Sequence, residues 1–382
     1  MERRPGQLAE SAREEIKERI GDHQERISIV QLFSKKKARL GVDISSSSVK
    51  VIQLDPHRNG YKVVAFAIEP LPVGSVQDKN IVDQEAVAEA LGKAVKRAGT
   101  KTRNAVLAVP GGATVSRIIS LPAILKGIEL EEQVRIEADQ YIPYPIDEVS
   151  LDFEVLGMTA GSDENQDVLV AATRSENVEA RVAVAEMAGL TVDVVDVEAF
   201  AVENAFNEMI APSLSEAELS MPVALIDVGL NMTAVHVFTG EGLIYTREHN
   251  FGGRQLTEEI ARVYDLPQAD AAVRQQTGDL PEDFGRRILH PFVETAAVQL
   301  ERLLGFYYSA GQGGKVGLVL LGGGTANIPG FVERVAKETS TETRLANPFA
   351  NAKIGSGVSA ERIANEGSAL IIASGLALRS FD

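Results

Sequence analysis

The sequence predicts a two-lobed α/β protein whose halves open alike. Three observations carry that prediction. A chain of 382 residues exceeds what one hydrophobic core organises and suits two domains. Strand-length apolar runs alternate with amphipathic helical stretches. One short pattern, an apolar run ending in Asp, a turn of small residues and a second apolar run, occurs at 40–51 and again at 224–235.

Composition narrows the function classes. Hydrophobic residues make up 45% and charged residues 24%, as in an ordinary globular core, which excludes a fibrous or wholly disordered chain. Lys plus Arg number 38 against 54 Asp plus Glu, a net charge of −16 that repels a phosphate backbone and excludes a general nucleic-acid binder. Without cysteine there are no disulfides, thiolate metal sites or cysteine nucleophiles, and a reducing, cytoplasmic setting is expected. No apolar run approaches the roughly 20 residues that span a bilayer, and the charged start lacks the apolar core of a signal peptide. Membrane contact is therefore expected to be peripheral.

Residues 1–39 read as a separate N-terminal extension. The first forty residues hold ten Lys or Arg against seven Asp or Glu (+3), leaving 28 against 47 (−19) for the rest. Leu8, Ala12, Ile16 and Ile20 form a narrow helical stripe before the basic run Lys35-Lys36-Lys37-Ala38-Arg39, either a docking or membrane-surface segment or a solvated, partly frayed extension. Lobe 1 is expected over 40–220, with its core at 40–100 and 191–220 and an inserted subdomain at 101–190. Lobe 2 is expected over 221–382, with its core at 221–252 and 315–382 and a subdomain at 253–314.

Within lobe 1, stretches 40–54 and 61–68 suggest a hairpin turning at 56–60, followed by a helix over 82–97. Strands follow at 105–109 and 114–121 around Pro110-Gly111-Gly112, and Pro143 and Pro145 stop a charged helix over 129–141. On that helix Val134, Ala138 and Tyr141 share a stripe, either core or one wall of a peptide groove closed by the stiff exit Ile142-Pro143-Tyr144-Pro145. Strands at 149–156, 168–172 and 192–197 flank a helix over 176–188 that ends at Gly189. Polar residues 214–218 connect the lobes. Lobe 2 repeats the hairpin at 223–238 and 243–248, has helices at 256–264 and 291–310, and buries a strand at 316–321.

The repeated pattern implies chemistry. Each copy delivers one carboxylate, Asp43 or Asp227, at a strand end and then exposes turn amides; singly, each is also an ordinary β-hairpin turn. Facing each other, two such turns can hold a phosphate tail, with the aspartates holding Mg²⁺ through its waters. A third element, Leu321-Gly322-Gly323-Gly324-Thr325, runs from a strand into glycines that permit close backbone approach. It lacks the lysine of a Walker A loop and does not fit Gly-x-Gly-x-x-Gly.

In this order and spacing the motifs resemble the actin-like ATPase superfamily, a ribonuclease H-like duplicated α/β fold, over nearly all of the chain after Leu40. The resemblance implies that Asp43 and Asp227 position Mg²⁺, that Ser45, Ser46, Ser47, Lys50, Gly229, Asn231 and Thr233 face the phosphates, and that Gly323, Gly324, Thr325 and Ile328 flank the adenosine of ATP. It further implies that Arg274 reaches the base or ribose, although its usual acidic partner three residues earlier is Ala271 here. Asp196 and Glu198, near the first connecting helix, are the candidate carboxylates for positioning a hydrolytic water; either instead suits a helix N-terminus. His23, His57, His236, His249 and His290 form no spaced cluster with carboxylates and are expected to be structural.

A closer resemblance is to the PilM family of type IV pilus assembly. It rests on Gly41-Val42-Asp43-Ile44-Ser45-Ser46-Ser47, on Ile136-Glu137-Ala138-Asp139-Gln140-Tyr141-Ile142-Pro143-Tyr144-Pro145, on Phe251-Gly252-Gly253-Arg254 and on the ending Gly375-Leu376-Ala377-Leu378-Arg379. That family implies an FtsA-like inserted subdomain and a cytoplasmic ATP-binding adaptor with weak or no ATPase activity. It also implies that the adaptor grips the N-terminal cytoplasmic tail of the inner-membrane protein PilN, contacts other pilus and motor components, can form a homo-oligomer, and supports twitching motility. The extension at 1–39 departs from the family pattern. Alternatives are a small-molecule kinase of the superfamily, for which no acceptor-site motif is visible, and an FtsA-like filament former, which the ending without a basic amphipathic helix argues against.

Overall fold

A computed structural model of the protein describes residues 38–381 apart from Asn59 and Gln312. The amphipathic stripe expected at 8–20 lies outside the described residues. In chain order the strands are β1 Leu40–Ile44, β2 Ser48–His57, β3 Gly60–Pro70, β4 Val76–Gln77, β5 Asn80–Ile81, β6 Asn104–Val109, β7 Thr114–Pro122 and β8 Val149–Met158. They continue with β9 Asn165–Arg174, β10 Thr191–Val197, β11 Val223–Val228, β12 Thr233–Thr239, β13 Gly242–His249, β14 Leu318–Gly322, β15 Glu342–Leu345 and β16 Lys353–Ile354.

The duplication read from the sequence is a duplication of topology. One sheet runs β10-β6-β1-β2-β3-β16 and the other β13-β12-β11-β14-β15. In each, the opening strand (β1, β11) pairs antiparallel with the next and parallel with a later crossover strand (β6, β14). Stretch 40–54 is two strands, as the small-residue turn of the repeated pattern predicts, because the chain reverses at Ser45-Ser46-Ser47. Val, Ile and Leu on β1 and β11 are buried throughout, as strands covered on both faces require.

The sheets are joined through two helices, Glu198–Ala205 and Ile371–Leu378, that cross at small residues. A Cβ on Gly375 would stand 1.7 Å from the Ala201 carbonyl oxygen, and one on Gly41 would stand 1.9 Å from that of Ala373. Backbone-to-backbone contact there fixes where β1 and the first turn of the Glu198 helix end, and so fixes one wall of the cleft.

Between β6 and β10 sits a three-stranded antiparallel sheet, β7-β9-β8, backed by the helix Gly127–Asp139. Leu130, Val134 and Ala138 recur every fourth residue and pack under Leu121, Val168, Val170 and Ala172. The stripe considered as a groove wall is therefore the small unit's own core: Val134 and Ala138 are fully buried, and the Tyr141 ring lies under the Arg117 guanidinium at 5.1 Å. Between β13 and β14, the helices Arg254–Tyr264, Gln268–Thr277 and His290–Ala310 cover the second sheet.

Candidate functional site

Both aspartates come from strand ends that face one cleft of about 390 Å³. Strand periodicity explains the placement. Across the first sheet Asp43 pairs with Lys50 and Lys50 with Ile68; across the second, Asp227 pairs with Ala234 and Ala234 with Glu248. Residues paired in this way share a face, so each sheet presents one row of side chains to the cleft.

The first turn closes through the Ser45 amide, which donates to the Ser48 carbonyl at 3.0 Å, leaving the Ser46 and Ser47 amides outside that bond. Lys50 Nζ lies 2.6 Å from Asp43 Oδ2 and 3.2 Å from Ser45 Oγ. The second turn closes through the Gly229 amide on the Met232 carbonyl, 2.9 Å. It is clipped from outside: the amides of Gly253 and Arg254 donate to Gly229 and Leu230 carbonyls at 3.0 and 2.8 Å, and Thr325 Oγ1 donates to the Gly229 carbonyl at 2.8 Å. A Cβ on Gly252 would stand 2.5 Å from both carbonyl oxygens. The Phe251-Gly252-Gly253-Arg254 motif is thus the clamp on the second turn.

Electrostatics follow from burial. Burial pushes the Asp227 carboxyl up, opposed by the Lys50 ammonium and reinforced by the Asp43 charge. Burial likewise raises Glu198, which Lys79 partly counters. Burial opposes the charge on Lys50, but the Asp43 carboxylate overrides it and the group is held above its usual value. His236, buried on the cleft floor beside Thr246 (3.1 Å), is pushed down to about 3 by burial and by the Lys79 charge, so it is neutral.

Of the residues expected at the site, Asp43, Ser45, Ser46, Ser47, Lys50, Glu198, Asp227, Gly229, Asn231, Gly323, Gly324, Thr325 and Ile328 line this cleft. Three do not. Thr233 is fully buried and its hydroxyl donates to the Phe251 carbonyl at 2.9 Å, because it pairs with Val228 on the core-facing side. Asp196 is turned away: it accepts from Arg379 Nε at 2.8 Å and from the Val197 amide at 2.7 Å. Arg274 is off the cleft wall, which its neighbour Gln275 lines while accepting from Thr257 Oγ1 at 2.6 Å. Three charged lining residues were missed, Lys79, Glu248 and Glu366. Lys79 and Glu248 belong to no motif, and only the strand register and a two-residue turn bring them in.

The residues present fit a phosphate-bearing ligand. Asn231 Oδ1 is buried in the cleft without a hydrogen-bond partner, and an amide flip offers the same site as a donor. Gly323 leaves no room for a side chain, since a Cβ there would stand 2.4 Å from Asp227 Oδ1. Among the described residues no three carboxylate or imidazole groups gather to bind a metal directly. Asp43 and Asp227 fit a cation held through its waters instead.

Comparison with known proteins agrees with this architecture. The family profile described as type IV pilus assembly protein PilM matches residues 41–381. A solved PilM-PilN type IV pilus biogenesis complex superposes with a TM-score of 0.73 at 26% identity, covering 91% of this chain and 99% of that one. Ethanolamine utilization protein EutJ from Carboxydothermus hydrogenoformans superposes with a TM-score of 0.53 at 16% identity, covering 93% and 97%. The fold is the actin-like ATPase fold.

Proposed function

This chain belongs to the type IV pilus assembly protein PilM family and has its role in type IV pilus assembly, and within that assembly we propose that it is the nucleotide-binding adaptor. ATP with Mg²⁺ binds between the turns at Ser45–Ser47 and Gly229–Asn231. The two lobes close on it, and closure sets how the protein holds the N-terminal cytoplasmic tail of PilN and links it to the pilus motor for pilus biogenesis and twitching. The observation that carries this proposal is the pair of equivalent strand ends placing Asp43 and Asp227 across one cleft, in a fold whose similar solved structure is a PilM-PilN complex. No helix among the described residues is long and apolar enough to cross a membrane, which suits attachment to the cytoplasmic face of the inner membrane through a partner.

Binding outweighs turnover here. Both carboxylates considered for water positioning are engaged, Asp196 by Arg379 and Glu198 by Lys79 at 2.6 Å. Asp196 is held off the cleft and Glu198 is tied to Lys79, so neither carboxylate is free to orient a water, and hydrolysis is slow or absent. The test is an anisotropy titration of a labelled peptide copying the PilN tail of the same organism, with and without Mg-ATP. Saturable binding near 1 μM, about −8 kcal/mol, is expected. A protein that binds a fluorescent ATP analogue but not the peptide would not be this adaptor.

A further inference from the structure

Lys79 stands outside every motif, yet it lines the cleft and pairs with carboxylates from two different parts of the fold. It lies in a two-residue turn between β4 and β5, where Gln77 pairs with Asn80. Asp78 and Lys79 have φ of 46° and 64°, left-handed values that non-glycine residues adopt at a cost. The turn is held from behind by Arg181, a nearly fully buried guanidinium on the helix Ser175–Met187. Its Nη2 donates to the Lys79 carbonyl at 2.8 Å and its Nη1 to the Asn177 carbonyl at 3.0 Å. The ammonium so presented bridges Glu198 Oε2 at 2.6 Å and Glu248 Oε1 at 2.8 Å. Glu198 begins a helix following the first sheet, whereas Glu248 lies on β13 of the second.

Register locates this bridge relative to the rest of the site. Glu248, Ala234, Asp227 and Gly322 are consecutive partners across β13, β12, β11 and β14. Strands are spaced about 4.8 Å apart, so Glu248 lies roughly 10 Å from Asp227, on the side opposite the Gly322-Gly323-Gly324 loop. Adenosine at that loop leaves the far, Lys79 end of the cleft to the last phosphate. A side chain at Gly112 would stand 2.7 Å from Glu248 Oε2, so the Pro110-Gly111-Gly112 turn keeps the carboxylate against the lysine.

Resting on the nucleotide reading above, we infer that Lys79 reads the terminal phosphate of the bound nucleotide and so makes the cleft prefer a triphosphate to a diphosphate. Lys79 exchanges its contact with Glu248 for the phosphate, which breaks the link from the β4–β5 turn to the second sheet at the moment the cleft fills. Arg181 carries that event to the inserted unit through the Lys79 backbone. Without Lys79, two buried carboxylates would face the phosphate uncompensated.

The experiment is calorimetric titration of the full chain with Mg-ATP and with Mg-ADP. Lys79→Ala should weaken ATP binding about tenfold or more while changing ADP binding less than about threefold, the loss of a charge-assisted contact to one phosphate. Glu248→Gln removes the competing carboxylate without changing shape and should tighten ATP binding with ADP unmoved, an effect of opposite sign that a merely structural bridge would not give. Unfolding of Lys79→Ala would leave Glu248→Gln to decide. An unchanged ATP-to-ADP ratio in the variants overturns the inference while the nucleotide clamp stands. A wild-type protein that binds neither nucleotide overturns both.

Discussion

Replacing Gly323 with Ala tests the site and the fold together. Gly323 has φ of 87°, in the left-handed region, where an L side chain costs about 1–2 kcal/mol. Its new methyl would stand 2.4 Å from both Asp227 Oδ1 and the Val228 carbonyl oxygen, distances no Cβ tolerates. The loop cannot simply back away. The Gly323 amide donates to the Ser368 carbonyl at 2.8 Å and the Thr325 amide to the Val228 carbonyl at 3.1 Å, tying it to β11 on one side and the C-terminal segment on the other. Displacing packed backbone adds about 1–3 kcal/mol, for a total loss of about 2–5 kcal/mol. Urea unfolding followed by circular dichroism should show that loss as a lower midpoint at unchanged slope. Below the transition, titration with a fluorescent ATP analogue should show weakened binding, because Asp227 must move. Gly324→Ala is the matched control: no atom lies within 4 Å of its Cβ, and its φ is outside the left-handed region, so it should stay within about ±0.5 kcal/mol of wild type. A Gly323→Ala protein with the wild-type midpoint and affinity would refute the account of this loop.

Gly375→Ala would drive a methyl to 1.7 Å from the Ala201 carbonyl oxygen, where two helix backbones touch, and should cost about 3 kcal/mol or more; an unshifted thermal midpoint would mean the helices do not cross there. His236 is held neutral in the folded state, with its pKa moved from 6.5 to about 3, so unfolding takes up a proton between those values. Its contribution is fully present above pH 6.5 and is lost as pH falls, at about 1.4 kcal/mol per pH unit. His236→Asn should therefore flatten the acid limb of the stability–pH curve, and an identical slope in the two proteins would show that His236 already binds a proton in the folded state.

Much of the site was legible because it is local. An Asp closing an apolar run before small turn residues needs only a dozen residues to be seen, and its repetition marks two equivalent strand ends. What failed was the facing of side chains. Thr233 lies only two residues beyond Asn231, but in the observed register it is the partner of Val228, one residue past Asp227 and so on the opposite face. Spacing alone left that register unfixed. Asp196 and Glu198 are two apart in sequence, yet one lies near the end of a strand and pairs with Arg379 while the other begins a helix and lines the cleft. Lys79 was invisible for another reason: its turn has the left-handed geometry that Asn-Gly usually announces, built from Asp-Lys instead.

Where the two halves differ matters more to function than where they agree. Matching strands place Asp43 and Asp227 alike, but the next position in each row is Lys50 in one half and Ala234 in the other, and the third is Ile68 against Glu248. A second lysine in place of Ala234 would give the tail two equivalent cations and no preferred direction. Two apolar residues there would leave the aspartates uncompensated in a buried cleft. With one lysine at the first turn and one carboxylate across the second, charge changes sign along the cleft, and Lys79 spans Glu198 and Glu248 at the far end. A duplicated scaffold thus supplies paired positions, and single substitutions between its copies make the charges at those positions unequal.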